Sequence, residues 1–596
     1  IAMNIGSVRF RAEIFVNHQL AGYDLVNSTP FSIDITPFIE PGKKNVITFR
    51  ITDPNGNFNW KDSQVYTWGV YRTNPSHGFG GITGKVELEA TGKLYVKDVF
   101  IKNQPEPHTI EVEVRAANET GASVTNKELC LEIKEHPNGQ TVYRKNVRLE
   151  SLKEGENLQT YQIKVPNAHL WSVDSPRLYD LKISLNDDAV TERFGFRWFE
   201  IKDVKGDRQF FLNGKRVQFK GVCNHHDLGP LGGIANEAGI RRQIRMLKDM
   251  GCNAIRTSHN MPAPELIKAC DEMGMMVMAE SFDEWATAKV QNGYHTVFGE
   301  WAEKDIVNLV RHFRNNPSVV MWCIGNEVPD QWAGDKGPKL SLWLQNICHR
   351  EDPTRPVTQG MDAPDAVVNN NMAAVMDVPG FNYRPFKYIE NYKKLPQEII
   401  LGSETASTIS SRGVYKFPVV RRSMPKYPDH QSSSYDVEHC GWSNLPEDDF
   451  IQHEDLPYCI GEFVWTGFDY LGEPTPYYSD WPSHSSLFGI IDLAGIPKDR
   501  YYLYRSHWNK DVETLHILPH WNWEGREGEV TPVFVYTNYP TAELFINGKS
   551  QGKRTKDLSV TVHNSGDSLS TANFKRQKRY RLMWMDAIYE PGEVKV

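Results

Sequence analysis

Two short strings carry the residues with the most chemical content, Cys323-Ile324-Gly325-Asn326-Glu327 and Leu401-Gly402-Ser403-Glu404. Each is a run of apolar or small residues that reads as a buried strand and stops at a glutamate. A carboxylate in that position is costly unless the strand opens into a polar pocket. Two such endings in one barrel could act as a pair. One carboxylic acid would protonate a leaving oxygen, and the other, ~5–5.5 Å away, would attack the carbon of an acetal.

Other polar strand endings point to the same mouth. They are Asn224-His225-His226-Asp227, Arg256-Thr257-Ser258-His259-Asn260, Glu280, Asn382-Tyr383 and Trp465. Three histidines and an arginine at the ends of adjacent strands favour hydrogen bonds to sugar hydroxyls. Glu462 is a rival carboxylate, but side chains alternate along a strand. If Trp465 faces the pocket, Glu462 lies low in the barrel or against the helices, and it receives no chemical role.

These residues need a scaffold. Eight strands are predicted near 217–225, 252–257, 275–281, 318–325, 356–361, 373–382, 398–404 and 459–466. Helical periodicity separates several of them. Glu237 to Met250 puts Ile240, Ile244 and Leu247 on one face, and Gly251 reads as its C-cap. Further helices are expected at Pro264–Met273, Glu300–Asn315 and Lys339–Arg350. Eight strands alternating with helices over about 300 residues imply a (β/α)8 TIM barrel spanning 203–510, with both glutamates at its C-terminal face.

The flanks are all-β. Residues 1–93 alternate at period two and read as a jelly-roll β-sandwich, and 94–202 read as an immunoglobulin-like sandwich. Residues 511–596 return to strands, with a hairpin turning at Asn547-Gly548. The expected fold is therefore multidomain, a TIM barrel flanked by β-sandwich domains. Both ends read as interior to a longer protein. The stretch from Gly413 to Asp455 reads as a long loop at the active-site mouth.

Composition narrows the function. The net charge of -8 gives no footprint for a nucleic-acid partner. The basic run Lys575-Arg576-Gln577-Lys578-Arg579 reads as a solvated turn. No apolar run approaches the ~18 residues of a membrane helix, and no signal peptide is visible. The eight cysteines contain no Cys-x-x-Cys pair and read as buried free thiols. Asp53, Asn55, Asn57 and Asn59 alternate like a calcium loop, but without its glycine and terminal glutamate they read as a polar turn. His225, His226 and His259 could bind zinc, though they lack helical ligand spacing. There is no phosphate loop and no Gly-x-Ser-x-Gly elbow. The expectation is no metal and no cofactor.

In order and spacing, several strings closely resemble glycoside hydrolase family 2. They are Gly221-Val-Cys-Asn-His225-His226-Asp227, Asn253-Ala-Ile-Arg256-Thr-Ser-His259-Asn, Gly325-Asn326-Glu327, Gly402-Ser403-Glu404 and Phe463-Val-Trp465-Thr-Gly-Phe-Asp469-Tyr. The resemblance implies Glu327 as general acid/base and Glu404 as nucleophile. Asn326 would bond the sugar 2-hydroxyl and Tyr383 would orient the nucleophile. His225, His259 and Trp465 would hold the terminal sugar, and Arg256 would fix a carboxylate by charge-assisted hydrogen bonds.

Segments at Ser411-Arg412-Gly413, Gly472-Glu473-Pro474 and Gly489-Ile-Ile-Asp492 are similar to the bacterial β-galactosidase branch. Glucuronidases of the family carry an Asn-x-Lys pair in the barrel. The visible Asn547-Gly548-Lys549 lies in the last sandwich and reads as a hairpin turn, and the absence of such a pair from the barrel counts against a uronic acid. Some metal-dependent β-galactosidases end strand three in Glu-x-His, where this chain has Glu280-Ser281-Phe282, so no catalytic magnesium is expected. The implied activity is release of terminal β-galactose from oligo- or polysaccharides. A β-glucuronide or a modified algal or plant galactoside is the alternative, and a non-catalytic carbohydrate-binding protein is the remote one. Family habit suggests the periplasm or secretion; self-association is left open.

Overall fold

The computed structural model describes residues 1–9, 11–25, 29–52, 66–68, 71–73, 81–289, 293–478, 480, 483–566 and 574–596. The calcium-like string at Asp53 to Asn59 therefore lies outside the described residues.

The centre is a closed barrel of eight parallel strands. They are β1 (Phe219–Asn224), β2 (Ala254–Thr257), β3 (Met276–Glu280), β4 (Val319–Asn326), β5 (Val357–Met361), β6 (Val378–Asn382), β7 (Ile400–Thr405) and β8 (Cys459–Trp465). Both faces of these strands are buried, and the side chains sort by parity. Met276, Met278, Met321, Cys323 and Phe463 fill the barrel interior. Val277, Ala279, Trp322, Ile324 and Val464 pack outward under the helices. That double burial is why the strands read as continuous apolar runs.

The helices are α1 (Glu237–Met250), α2 (Pro264–Met273), α3 (Phe298–Phe313), α4 (Lys336–Glu351), α5 (Pro364–Asn369), α6 (Tyr388–Tyr392), α7 (Pro446–Asp455), α8 (Asp499–Trp508) and α9 (Gln577–Tyr580). Asn236 caps α1 by accepting from the Gly239 amide, and Gly251 ends it in the left-handed conformation at φ 94°. α3 begins two residues before its expected start and ends before Asn315. That side chain instead donates to the Val99 carbonyl of the neighbouring sandwich at 2.9 Å. The sixth strand is shorter than expected, because Ala373–Val375 form a 3-10 turn.

Two further expectations are corrected. The stretch from 413 to 455 is not one loop, since its last ten residues form α7. The basic run near 575–579 is not a solvated turn. Arg576 is buried and donates to Asp448 of α7, and Arg579 pairs with Glu454 and Asp455. The seven cysteines from Cys223 to Cys459 are buried free thiols, whereas Cys130 is a free thiol only partly buried.

The flanking regions are antiparallel. Near the N-terminus, Val86–Glu89, Ala2–Ile5 and Phe31–Asp34 form one sheet; Gln19–Asp24, Arg11–Val16 and Ile47–Thr52 form another. The next region sets three strands against four around Val112, Val114, Leu131, Ile133, Leu181 and Ile183. It is tied to the barrel by Arg314, which pairs with Asp98, and by Arg197, which donates to the Pro317 and Val319 carbonyls. In the last region Thr541–Ile546 and Lys549–Thr555 form the hairpin, with Asn547 and Gly548 at φ 50° and 77°. Those angles suit the Asn-Gly pair.

Candidate active site

The C-terminal ends of the barrel strands surround a cavity of about 340 Å³. Its wall includes His259, Asn326, Glu327, Tyr383, Glu404 and Trp465, so six of the expected residues come together. Arg256 lies beneath the wall, with no exposed surface. His225 does not line the cavity. Its ring stacks on Tyr470 with centroids 3.7 Å apart and meets Trp465 edge-on, so it supports a wall residue.

Arg256 organises the floor. Its Nε donates to Glu280 at 2.7 Å, one terminal nitrogen donates to the Ser403 carbonyl at 2.7 Å and to Glu404 at 3.2 Å, and the other donates to Asn326 Oδ1 at 2.9 Å. Burial alone would lower the arginine's pKa, but the surrounding charges, Glu280 foremost, hold it well above the ordinary value. A buried cation persists only with such pairing. Gly360 leaves room for this crossing. A Cβ there would lie 2.8 Å from an Arg256 terminal nitrogen and from Asn326 Oδ1, and 2.9 Å from Asn382 Oδ1.

Glu404 is held on both oxygens. The Tyr383 hydroxyl donates to Oε1 at 2.6 Å; Arg256 and the Asn382 amide reach Oε2 at 3.2 and 3.3 Å. The same Asn382 nitrogen donates to Glu327 Oε1 at 3.1 Å. One nitrogen therefore bridges the two carboxylates, and Ser403 fixes it by donating to Asn382 Oδ1 at 2.8 Å. Burial, then the charge of Glu327, pushes the Glu404 pKa up, against Arg256 and Tyr383. Two close carboxylates in one buried site share a proton more readily than both ionise. Glu327 and Tyr383 sit at φ 42° and 57°. A left-handed backbone at non-glycine residues is costly and concentrates at functional sites.

His259 approaches Glu280 at 3.0 Å through Nδ1, and its ring stacks on Trp465 at 5.1 Å and 6°. Burial, then the neighbouring Arg256 charge, lowers its pKa well below the ordinary value, so it is neutral. Both Glu280 oxygens are taken, by Arg256 and His259. Phe282 packs on Tyr294 where a metal-binding imidazole would be needed. These residues do not fit a magnesium site. The zinc reading does not assemble either, because His226 is turned to the Gly233 carbonyl.

Several wall residues were not foreseen. Asp283 accepts from the Asn326 amide at 3.0 Å and from the buried Lys289 at 2.6 Å, and Lys289 also donates to the Asn326 carbonyl at 2.6 Å. Asp362, Arg384, Trp442, Thr475 and Tyr478 complete the rim with Glu473. Most lie on loops with no periodicity. The only sequence signal was at Glu473, inside a segment already singled out. Contrary to expectation, the barrel does contain an Asn-x-Lys, Asn391-Tyr392-Lys393. It runs off α6 at the outer surface, where Tyr392 stacks on Tyr458 and bonds Asp207, and it does not line the cavity. Glu462 lies in the helix layer, accepting from Thr405 at 2.8 Å.

Comparison with known proteins decides the family. The profile described as glycosyl hydrolases family 2, TIM barrel domain, matches residues 201–478, and a second family 2 profile matches 94–197. A domain of unknown function matches 528–596. The beta-galactosidase BoGH2A of Bacteroides ovatus is 35% identical over 99% of this chain and 70% of its own length. The chain belongs to glycoside hydrolase family 2. It is a glycosidase. A beta-glucuronidase of Bacteroides fragilis is 24% identical over 92% of this chain and 78% of its own. The crystal structure of a beta-glycosidase from Bacteroides vulgatus is 29% identical and superposes with a TM-score of 0.77, covering 100% of this chain and 72% of that one. This family 2 chain is shorter than each of these relatives.

Proposed function

We propose that this chain is the catalytic part of a retaining, exo-acting β-galactosidase, with Glu327 as acid/base and Glu404 as nucleophile. The observation that carries the reading is the bridged pair. A single amide nitrogen 3.1 and 3.3 Å from the two carboxylates makes them flank one small space, which supports a pair acting on one anomeric centre. In the first step Glu327 protonates the glycosidic oxygen while Glu404 attacks the anomeric carbon. The C–O bond to the leaving group breaks, and a glycosyl ester forms on Glu404. In the second step Glu327 takes a proton from water, which displaces Glu404 and releases the sugar with its configuration retained.

The roles divide by environment. Glu404 is 4% exposed and holds its place through Tyr383, Arg256 and Asn382. Glu327 is more open to the cavity, as a group that must meet a leaving group and then water should be. The terminal sugar then sits inward, against Trp465, His259 and Asn326.

A neutral sugar suits the wall, which among the described residues carries five carboxylates (Asp283, Glu327, Asp362, Glu404, Glu473) against the guanidinium of Arg384, while Lys289 and Arg256 behind it are already spent on Asp283 and Glu404. A uronate carboxylate in the inner half would face like charge. The name of the Bacteroides ovatus relative supports the same choice. The test is hydrolysis of an aryl β-D-galactoside and the matching β-D-glucuronide by one preparation. Turnover of the galactoside with the glucuronide inert is expected; the reverse pattern overturns the sugar assignment and leaves the two-carboxylate chemistry in place.

A further inference from the structure

Arg384 carries a positive charge on the wall that no ion pair among the described residues answers. One of its terminal nitrogens donates to the Trp442 carbonyl at 2.5 Å, and among the described residues it forms no ion pair. The other arginine at the site, Arg256, is wholly buried and spends its donors on Glu280, Glu404, Asn326 and a carbonyl. Arg384 directly follows Tyr383, the partner of Glu404, and sits at φ 56°. A guanidinium at the mouth, without an ion pair among the described residues and away from the buried inner carboxylates, is placed to meet an anion. Its planar set of donors matches a carboxylate or a sulfate ester.

Its position says which part of a substrate would meet it. The inner wall residues His259, Asn326, Glu404 and Trp465 are all buried. Arg384 and Trp442 are half-buried and Tyr478 is 44% exposed, which places these three at the mouth. Lys426 lies 5.6 Å from the Tyr478 ring centroid, but its charge is answered by Asp480 at 3.4 Å, which leaves Arg384 to meet an anion. With the nucleophile deep and the acid/base toward the opening, the mouth is the side from which the leaving group departs.

We infer that the cavity mouth is a leaving-group subsite for an acidic carbohydrate, in which Arg384 binds a carboxylate or sulfate substituent and the Trp442 and Tyr478 rings receive the sugar faces. This rests on the proposed orientation of the terminal sugar, and it narrows the substrate class to a galactosyl unit attached to an anionic sugar. Aromatic faces complement the C–H faces of pyranoses, and the guanidinium supplies the discrimination that stacking lacks.

The experiment measures kcat/KM of the wild-type chain, Arg384→Gln and Arg384→Lys on a β-galactosyl glucuronic acid disaccharide and on lactose. An aryl β-galactoside 6-sulfate, which carries its anion on the terminal sugar, is the third substrate. The wild type should prefer the acidic disaccharide to lactose, and raised salt should erode that preference. Arg384→Gln should lower the acidic-to-neutral ratio about tenfold or more, the scale of a charge-assisted hydrogen bond. Arg384→Lys should retain part of it.

Equal losses on both disaccharides overturn the inference and leave Arg384 a prop for Trp442. So does a wild type with no preference and no salt dependence, a result available even if the variants fail to fold. A loss confined to the 6-sulfate places the anion on the terminal sugar and also overturns it. Should the wild type hydrolyse only glucuronides, the galactoside reading fails by itself. The same ratio on glucuronides with acidic and neutral leaving groups then decides the role of Arg384.

Discussion

Tyr383→Phe removes one oxygen and tests the assignment of Glu404 as nucleophile. Of the donors to that carboxylate, the Tyr383 hydroxyl makes the shortest bond, 2.6 Å to Oε1, while Arg256 and Asn382 reach Oε2 at 3.2 and 3.3 Å. The variant leaves Oε1 without this donor. A hydrogen bond to a charged acceptor contributes about 1.5–3 kcal/mol, which corresponds to roughly ten- to hundredfold in rate if it acts on the reacting state.

The pH dependence sharpens the test. Tyr383 stabilises the charged form of Glu404, against the upward push of burial and of Glu327. Its loss raises the Glu404 pKa further, so a higher pH is needed to ionise the nucleophile. The acidic limb of kcat/KM should therefore move to higher pH while the alkaline limb, set by protonated Glu327, moves less. Ser407 also loses a partner at 2.6 Å, so a thermal melt must accompany the kinetics to separate stability from rate. An aryl β-galactoside assayed across the pH range decides it. A change within about threefold and an acidic limb that stays in place would refute the assignment.

Other outcomes follow from the same geometry. Glu404→Gln should lower turnover at least about a thousandfold, because no covalent ester can form, and mass spectrometry should find no trapped adduct with a fluorinated glycoside. Glu327→Ala should cripple hydrolysis of alkyl galactosides while sparing the first step for activated aryl leaving groups, which need no proton; equal losses on both would remove Glu327 from the acid role. Burial raises the Glu462 pKa to about 8, so this group is protonated in the folded state at neutral pH. Its contribution to stability is complete below the unfolded carboxylate pKa and is lost as pH rises toward about 8, by up to about 1.4 kcal/mol per pH unit. Glu462→Gln should flatten the pH dependence of the melting midpoint over that window, and parallel melting curves would sink the idea.

The parts of the site legible in the sequence are those attached to strands. Glu327, Glu404, His259, Asn382 and Trp465 each end or follow an apolar run, and a buried run that stops at a polar residue marks where a barrel opens. Glu462 is legible for the same reason. Trp465 belongs to the interior set and Glu462 to the helix layer, because alternation survives along β8. Asp283, Lys289, Arg384 and Trp442 carried no such mark. Lys289 bonds Asp283 six residues away, but its bond to the Asn326 carbonyl spans thirty-seven positions. Nothing local predicts that the two would meet. The register shifts in β4 and β7 just before their polar ends likewise depend on neighbouring strands.

α7 is not legible in the sequence because what stabilises it is distant. Its sequence, Pro446-Glu447-Asp448-Asp449-Phe450, looks like exposed loop, yet all five residues are buried. Glu447 pairs with Arg581, Asp448 with Arg421 and Arg576, and Asp449 accepts from Asn444. Two of those arginines belong to the last β region, more than a hundred residues on. Acidic residues in a first helical turn also suit its partial positive charge. The consequence reaches the chemistry. Strand β7 delivers Glu404 inward and Thr405 outward; Thr405 bonds Glu462, which lies close enough to Asp449 on α7 that, after burial, its charge raises the Asp449 pKa. The layer behind Glu404 is thus closed by ion pairs from the C-terminal region. That region therefore belongs to the support of the active site, although its own sequence reads only as strands and a basic turn.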